Sequence, residues 1–276
     1  MSSRLFCFSG TGNSLNVALE LDKELENNEI LPINDDFQID KFDNVDKVGF
    51  IFPVYAYGMP RTVENFIGKN EFSEDVYYFA IATCGGTPGN TIKNLDKLLR
   101  KNKCKLSAGF TVKEKNHNLM EANLFMKFMI IAGGSEPDSF LKKKEQIVDI
   151  VKGNKTNKLE TSSWLANKLG DMLHKTALNQ LKDNVNQFYV NSKCNGCGTC
   201  VNICPKDNIE LKDGEPIWSD DCESCFGCLQ WCPQAAIGYE DNEGEIKRTH
   251  NMNISKNEMY SYLGNNNSNE RLDQSE

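Results

Sequence analysis

Eight of the eleven cysteines lie between Cys194 and Cys232, and this cluster constrains the chain more than any other feature of its sequence. They form two runs of identical spacing, each followed by a proline: Cys194-x-x-Cys197-x-x-Cys200-x-x-x-Cys204-Pro205 and Cys222-x-x-Cys225-x-x-Cys228-x-x-x-Cys232-Pro233. A disulfide framework is typical of small secreted chains, whereas this chain has 276 residues and a long N-terminal region with few thiols. The runs are therefore interpreted as ligands of metal centres.

Two kinds of metal centre suit such spacing. Short C-x-x-C intervals let successive thiolates converge on one compact inorganic core. Structural zinc sites are the alternative, because zinc also binds cysteines at this interval. Zinc needs only two such pairs for each site, and it would leave the duplicated spacing and the following prolines unexplained.

Residues 190–240 resemble a bacterial-type ferredoxin with two 4Fe-4S clusters, which implies a small α+β domain. In such ferredoxins the fourth cysteine of each run binds the cluster of the other run. The resemblance implies one ligand set made of Cys194, Cys197, Cys200 and Cys232. It implies a second set made of Cys222, Cys225, Cys228 and Cys204.

The N-terminal half shows a different pattern, in which short apolar runs alternate with longer amphipathic stretches. This alternation is typical of strands and crossover helices in a parallel sheet. The predicted strands are residues 5–8, 30–33, 48–52, 76–82 and 106–112. The predicted helices are residues 14–25, 61–67, 91–99 and 137–151, followed by a connecting helix that begins near Trp164. We expect an α/β domain with a doubly wound, parallel five-stranded sheet.

The first predicted strand is followed directly by Ser9-Gly10-Thr11-Gly12-Asn13-Ser14, which opens the first helix. Hydroxyl groups, glycines and free backbone N–H groups at a helix N-terminus form a site for an anion. The segment lacks the lysine of a nucleoside-triphosphate loop, and Leu15 stands where a dinucleotide fingerprint has its third glycine. A monophosphate is the expected ligand.

This segment resembles the flavodoxin signature, and the resemblance extends over about 110 residues. It implies that FMN is bound, with its phosphate held by Ser9, Thr11, Gly12, Asn13 and Ser14. Two further loops, residues 53–60 and 83–89, follow strand ends at the edge where ligands of doubly wound sheets bind. They are expected to flank the flavin ring through Pro53, Val54, Tyr55, Ala56, Tyr57, Gly58, Thr83, Cys84, Gly85 and Gly86.

Some roles within these loops stay open at the level of sequence. Either Tyr55 or Tyr57 is expected to stack on the flavin, and ordinary packing of the loop is the alternative for both. Gly58 is expected to permit a peptide flip that responds to protonation of the flavin. The loop at 83–89 has no aromatic residue, so the cover of the second flavin face is assigned either to Cys84 or to the apolar segment at 120–129.

Composition and charge limit the partners. Thirty-one basic residues against 39 acidic ones give a net charge of −8, which argues against a nucleic-acid-binding protein. The ferredoxin-like segment has three basic and eight acidic residues, so a redox partner with a basic docking surface is expected. No apolar stretch approaches the roughly 18 to 20 residues of a membrane span, and a cytoplasmic location is expected.

Four segments are predicted along the chain. They are a flavodoxin-like FMN-binding domain at 1–152, a helical connector at 153–189, the two-cluster ferredoxin domain at 190–240 and a polar C-terminal tail at 241–276. This combination resembles the anaerobe-associated family of flavodoxin-ferredoxin fusion proteins. The resemblance implies an electron carrier that passes single electrons between two 4Fe-4S clusters and FMN, and on to redox partners.

Two other functions remain open, and no catalytic residue is predicted. The first is a flavin-dependent reductase of a small molecule, supplied with electrons by the ferredoxin module. The second is a redox-sensing or binding protein whose flavodoxin-like domain is empty. An electron carrier is favoured over a substrate-specific enzyme, because the lone His117 has no neighbouring acid or base in the sequence.

Overall fold

The structure is a computed structural model that describes residues 2–26, 28–34, 45–115, 138–239 and 248–264. These residues fall into two compact units. The first unit contains residues 2–8 and most of the described chain from Asn13 to Leu178, and the second contains Ser9–Gly12 and the described residues from Asn179 onward. His117, the apolar segment at 120–129 and the tail residues 241–247 and 265–276 lie outside the described residues.

In the described part of the first unit, five parallel strands form one sheet in the order β2-β1-β3-β4-β5. The strands are β1 Ser3–Cys7, β2 Asn28–Pro32, β3 Lys47–Pro53, β4 Tyr77–Cys84 and β5 Leu106–Lys113. This is the strand order of the flavodoxin-like doubly wound fold. The predicted five-stranded parallel sheet is confirmed.

Helices connect and cover these strands as the amphipathic stretches predict. They are α1 Asn13–Asp22, α2 Arg61–Lys69, α3 Thr91–Lys101, α4 Phe140–Lys152 and α5 Trp164–Asp183. Helix α1 ends three residues before the predicted end at Leu25. The side chain of Asn28 donates to the carbonyl oxygens of Asp22 at 3.3 Å and Leu25 at 2.5 Å, and these bonds satisfy carbonyls that the ended helix leaves without an N–H partner.

Burial on both faces of the central strands explains why their sequences are continuously apolar. All but the last residue of β3 and all but the first residue of β4 are buried. An aromatic cluster fills one face, where Phe50 lies 6.1 Å from Phe6 and 6.3 Å from Tyr78 between ring centroids. The sheet is therefore a rigid support for the loops that leave its carboxyl edge.

The described residues of the second unit form short elements of both kinds, consistent with a small ferredoxin-type α+β domain. Strand β6 Phe188–Val190 pairs with β9 Ile237–Tyr239, and β7 Ile209–Lys212 pairs with β8 Glu215–Trp218, both antiparallel. One-turn helices α6 Thr199–Asn202 and α7 Gly227–Gln230 each follow the start of a cysteine run. No helix in the described ranges is long and apolar enough to cross a bilayer.

The structure also contains a helix inside the segment predicted as a polar tail. Helix α8 spans Lys256–Tyr262, and its residues Met259 and Tyr260 are buried. A reciprocal pair of hydrogen bonds between Ser255 and Glu258 caps its N-terminus. The two buried side chains and the cap together account for a helix in this polar sequence.

Gly49 in β3 should tolerate no larger side chain. An added Cβ would overlap the ring of Phe79 and lie 2.9 Å from Leu5 Cδ2. We expect Gly49→Ala to lower the free energy of unfolding by about 1–3 kcal/mol, because the neighbours are packed against the sheet. Urea unfolding followed by far-UV circular dichroism measures the change.

Gly68 supplies the matched control. It lies in helix α2, and an added Cβ there meets nothing within 4 Å. Gly68→Ala should leave stability unchanged or raise it by up to about 1 kcal/mol, since alanine favours helix over glycine. Equal stability of the two variants would show that the sheet accommodates a side chain at Gly49.

Candidate functional site

The cysteine runs surround two cavities among the described residues of the second unit. One cavity is lined by Cys194, Cys197, Cys200 and Cys232. The other is lined by Cys204, Cys222, Cys225 and Cys228. Each cavity thus takes three cysteines from one run and one from the other. The structure brings together the same two sets that the ferredoxin resemblance implies.

The backbone of each run turns sharply before its one-turn helix. Gly198 and Phe226 occupy equivalent positions after the second cysteine, and both have positive φ values, of 70° and 58°. Glycine adopts this conformation freely, whereas for phenylalanine it costs about 1–2 kcal/mol. The ring of Phe226 packs against Tyr239 with centroids 4.9 Å apart, and this packing offsets the strain.

Backbone N–H groups point at sulfur atoms in both cavities. The N–H of Ser224 donates to Cys222 Sγ at 3.3 Å, and the N–H of Ala236 donates to Cys232 Sγ at the same distance. Such bonds stabilise negative charge on sulfur and are one of the factors that set cluster potentials. The loops are therefore suited to hold thiolates.

The four cysteines of each set line a cavity, and their thiols do not converge on a single point. In the described part of the chain, no three His, Cys, Asp or Glu side chains come together as ligands of a single ion. A tetrahedral zinc site draws its sulfur ligands to about 2.3 Å from one centre. Each cavity is lined by four cysteines, which is the ligand number of a 4Fe-4S core, so the donor set fits that group.

Burial controls the charge state of these thiols. It raises the pKa of Cys200 to about 12 and that of Cys204 to about 11. It also raises the pKa of Cys225 and Cys228. These four thiols are therefore protonated at neutral pH without a metal, and iron must displace their protons because the thiolate is the ligand.

The indole ring of Trp218 lines the second cavity. The Nε1–H of Trp218 is buried and lies beside the Cys228 thiol. Burial raises the pKa of Cys228, and this indole N–H acts in the opposite direction on the same thiol. A buried donor beside a ligand cysteine is suited to a sulfur atom that carries negative charge.

The loop Ser9–Gly12 makes its contacts inside the second unit, to which it belongs. The carbonyl of Gly10 accepts a hydrogen bond from Trp231 Nε1 at 3.1 Å, and the carbonyl of Thr11 accepts one from the N–H of Asn251 at 2.9 Å. An added Cβ at Gly10 would lie 2.8 Å from Cys225 Sγ. The predicted phosphate loop therefore passes directly beside a cysteine of the second run.

The next two predicted phosphate residues belong to the first unit and use their side chains within it. Ser14 Oγ and Thr83 Oγ1 are 2.9 Å apart, and both residues are buried. Asn13 Nδ2 donates to the carbonyl of Lys115 at 2.8 Å. The structure thus brings Ser14 of the first loop together with Thr83 of the third.

The loop after β3 contains a tight turn with unusual backbone geometry. Tyr55 and Gly58 exchange two backbone hydrogen bonds of 2.9 Å, and between them Ala56 and Tyr57 have φ values of 48° and 66°. Positive φ at both central residues defines a type I′ turn, in which Asn and Gly are the usual residues. Strained backbone of this kind is found at ligand-binding sites.

The side chains around this turn bear on the predicted flavin contacts. The ring of Tyr55 packs edge-on against buried Phe8, with centroids 6.4 Å apart, as the loop-packing alternative expects. Val54 donates its N–H to the carbonyl of Thr83 at 2.8 Å, so the loop that begins with Pro53 is tied to the third loop. Burial raises the pKa of Tyr57, so its hydroxyl remains protonated.

His174 on helix α5 is a residue of this region that the sequence interpretation missed. Its Nδ1 lies 2.8 Å from the carbonyl of Ala56, and an added Cβ at Gly58 would overlap its ring. Gly170, one helical turn earlier, allows Tyr57 to approach, since an added Cβ there would lie 3.1 Å from Tyr57 Cβ. The Gly-x-x-x-His spacing on one helix face was the available signal, but the sequence does not reveal what that face contacts.

The third predicted loop joins a buried cysteine to two glycines that are at least partly exposed. Cys84 is buried, and its thiol donates to the carbonyl of Val112 at 3.6 Å. Burial raises the pKa of Cys84 to about 12, so it is a neutral packed thiol. Gly85 is exposed and Gly86 partly exposed at the carboxyl end of β4.

Comparisons with known proteins bear on both units. Residues 193–246 match the family model of the 4Fe-4S dicluster domain. A comparison with curated proteins finds no relative of significant sequence similarity.

Several solved structures resemble the chain at low sequence identity. A flavodoxin from Streptococcus pneumonia TIGR4 is 10% identical, with 56% of this chain and 99% of that chain covered and a TM-score of 0.39. A short-chain flavodoxin associated with a bacterial microcompartment is 15% identical, with 42% and 86% covered and a TM-score of 0.35. An FMN-dependent NADH-azoreductase from Bacillus anthracis is 11% identical, with 46% and 93% covered and a TM-score of 0.31.

The fold of the first unit is assigned from its strand order, β2-β1-β3-β4-β5, and the second segment from its match to the dicluster model. The chain thus joins a flavodoxin-like α/β unit to a 4Fe-4S dicluster domain, which is the architecture of a flavodoxin-ferredoxin fusion.

Proposed function

We propose that this protein is an iron-sulfur flavoprotein that passes single electrons between two 4Fe-4S clusters and FMN, and on to redox partner proteins. The observation that carries this proposal is the pair of cavities, each walled by four cysteines drawn from both runs. A single disordered cluster of thiols would not divide in this way. Clusters of this type accept and release one electron at a time.

The crossed ligand sets place the two clusters next to each other along the chain. Helix α6 carries Cys200, which lines the first cavity, and Cys204, four residues later, lines the second. In the second run, Cys228 lines the second cavity, and Cys232, four residues later, lines the first. Each run therefore links both clusters covalently through one turn of backbone, which favours electron exchange between them.

FMN is proposed for the flavodoxin-like fold. Its phosphate would be held by the hydroxyl-rich loop, and its ring would be flanked by the turn at 55–58 and the glycines at 85 and 86. When bound, FMN takes up one or two electrons, so it can transfer electrons between one-electron and two-electron partners. The strained turn is contacted at the carbonyl of Ala56 by His174.

The acidic cluster segment suggests the kind of partner. Glu210, Asp213 and Glu215 are exposed on or beside the β7–β8 hairpin, and Leu211 and Pro216 of the same hairpin line the first cavity. A negative surface close to a redox centre attracts and orients a positively charged surface. The proposed electron partners therefore carry a basic docking surface.

Cofactor content tests the proposal directly. After anaerobic purification we expect about eight iron and eight sulfide ions and one FMN for each chain. An optical redox titration should show reversible bleaching. Colourless protein loaded with zinc would contradict the cluster assignment, whereas iron without flavin would retain the clusters and remove FMN.

Serine substitutions test the ligand sets. Cys225→Ser and Cys204→Ser lie in different runs but line the same cavity, so both should lose the same cluster signal in electron paramagnetic resonance spectra and about half of the iron. Flavin content should stay at the wild-type level. Cys104→Ser, a buried thiol outside both runs, is the control and should keep all the iron.

The alternative pairing has a distinct outcome. If each run held its own cluster, Cys204 and Cys200 would bind the same cluster. Cys204→Ser and Cys200→Ser would then remove the same electron paramagnetic resonance signal. Unchanged iron content in Cys225→Ser would contradict the ligand sets altogether.

The turn at 55–58 can be tested through FMN affinity. Gly58→Ala places a Cβ on the ring of His174, so that ring must leave the carbonyl of Ala56. Loss of one such hydrogen bond corresponds to about 1 kcal/mol, so the FMN dissociation constant should rise roughly fivefold. Quenching of flavin fluorescence measures it, with Gly68→Ala as the control. Equal affinity in both variants would remove the turn from the flavin site.

A further inference from the structure

Arg248 binds the second cysteine run from a position beyond the residues that match the dicluster model. Its guanidinium donates to the carbonyl oxygen of Leu229 at 2.7 Å, of Ala235 at 3.1 Å and of Ile237 at 2.6 Å. Leu229 directly follows Cys228, and the other two carbonyls follow Cys232. One side chain therefore connects the segments that carry a ligand of each cavity.

The three hydrogen bonds to carbonyl oxygens do not alone explain why residue 248 is an arginine. The Nε–H of Arg248 is buried and has no hydrogen-bond partner among the described atoms. A guanidinium stays charged in a protein, so the fold keeps a full positive charge in a half-buried place with one donor unsatisfied. A charge retained at this cost indicates a neighbouring negative charge.

The ligand cysteines become negative when clusters bind, and the carbonyls that Arg248 contacts lie beside two of them: Leu229 directly follows Cys228, and Ala235 lies three residues after Cys232. Cys232 lines the first cavity and Cys228 the second. The positive charge therefore lies close to one ligand of each set.

The backbone beside Arg248 is anchored independently of its side chain. The N–H of Thr249 donates to Gln230 Oε1 at 2.6 Å, and the ring of His250 stacks on Trp231 with centroids 3.9 Å apart. A substitution of Arg248 should therefore leave this segment in place. Effects of its charge can then be separated from effects on the path of the chain.

We propose that Arg248 is a positioning residue that holds the second cysteine run and raises the reduction potentials of both clusters; this rests on the clusters of the proposed function. Reduction adds one negative charge to a cluster. A fixed cation in a half-buried place stabilises the reduced state more than the oxidised state. Because the guanidinium lies near a ligand of each set, both clusters are affected.

The test uses the full-length protein, purified anaerobically, with Arg248→Gln, Arg248→Lys and the control Lys212→Gln. Lys212 is exposed on β7, so its substitution removes one positive charge from the same domain where solvent screens it. Potentials are measured by redox titration with electron paramagnetic resonance detection, and iron content is measured in parallel.

In Arg248→Gln we expect both clusters to keep iron and to become harder to reduce. At a fixed solution potential the ratio of reduced to oxidised cluster should fall about threefold to tenfold, where tenfold corresponds to 59 mV. Arg248→Lys, which keeps the charge, should shift the ratio less and mainly lower the thermal unfolding midpoint. Lys212→Gln should retain wild-type potentials.

The other possible results also support or overturn the proposed role of Arg248. Wild-type potentials in iron-loaded Arg248→Gln would overturn the proposal. If Arg248→Gln loses iron while Arg248→Lys keeps it, a positive charge is required and the proposal is supported. If both lose iron, Arg248 is only a structural clamp and the proposal fails. Wild-type protein without clusters would instead refute the proposed function itself.

Discussion

The crossing of the two cysteine runs is the constraint on which the second unit depends. Cys204 lies with the cysteines at 222–228, and Cys232 lies with those at 194–200, so each run is needed to close both cavities. The helices within these runs are single turns, and the strands around them have three or four residues. So few apolar contacts leave much of the stability to the metal-thiolate bonds, whose formation is coupled to folding.

The first unit depends on a different principle, in which a well-packed sheet supports strained connections at its carboxyl edge. The residues of β3 and β4 are almost all buried, and the loops follow at the ends of these strands. The turn at Ala56 and Tyr57 can therefore keep positive φ values that neither side chain favours. His174 and the close packing at Gly89 and Gly170 hold it there.

Much of the fold was predictable because periodicity and turn residues are local. The apolar runs located all five strands of the sheet, and the doubly wound, parallel arrangement was expected, while the strand order came from the structure. Element ends were less accurate, as at α1, because the side chain of Asn28 bonds to carbonyls at its end. Helix α8 was missed because two buried side chains, Met259 and Tyr260, decide its packing within a polar segment.

The sequence by itself determined the candidate metal ligands, because the spacing of cysteines along the chain is a local property that decides which thiolates can bind together. It also placed glycines and hydroxyls at the strand ends where a phosphate can bind. Only the tertiary structure decided that His174 meets Ala56, 118 residues away, and that Arg248 reaches carbonyls of the second cysteine run. Such contacts depend on how separate elements pack, and no periodicity within one element encodes its partner.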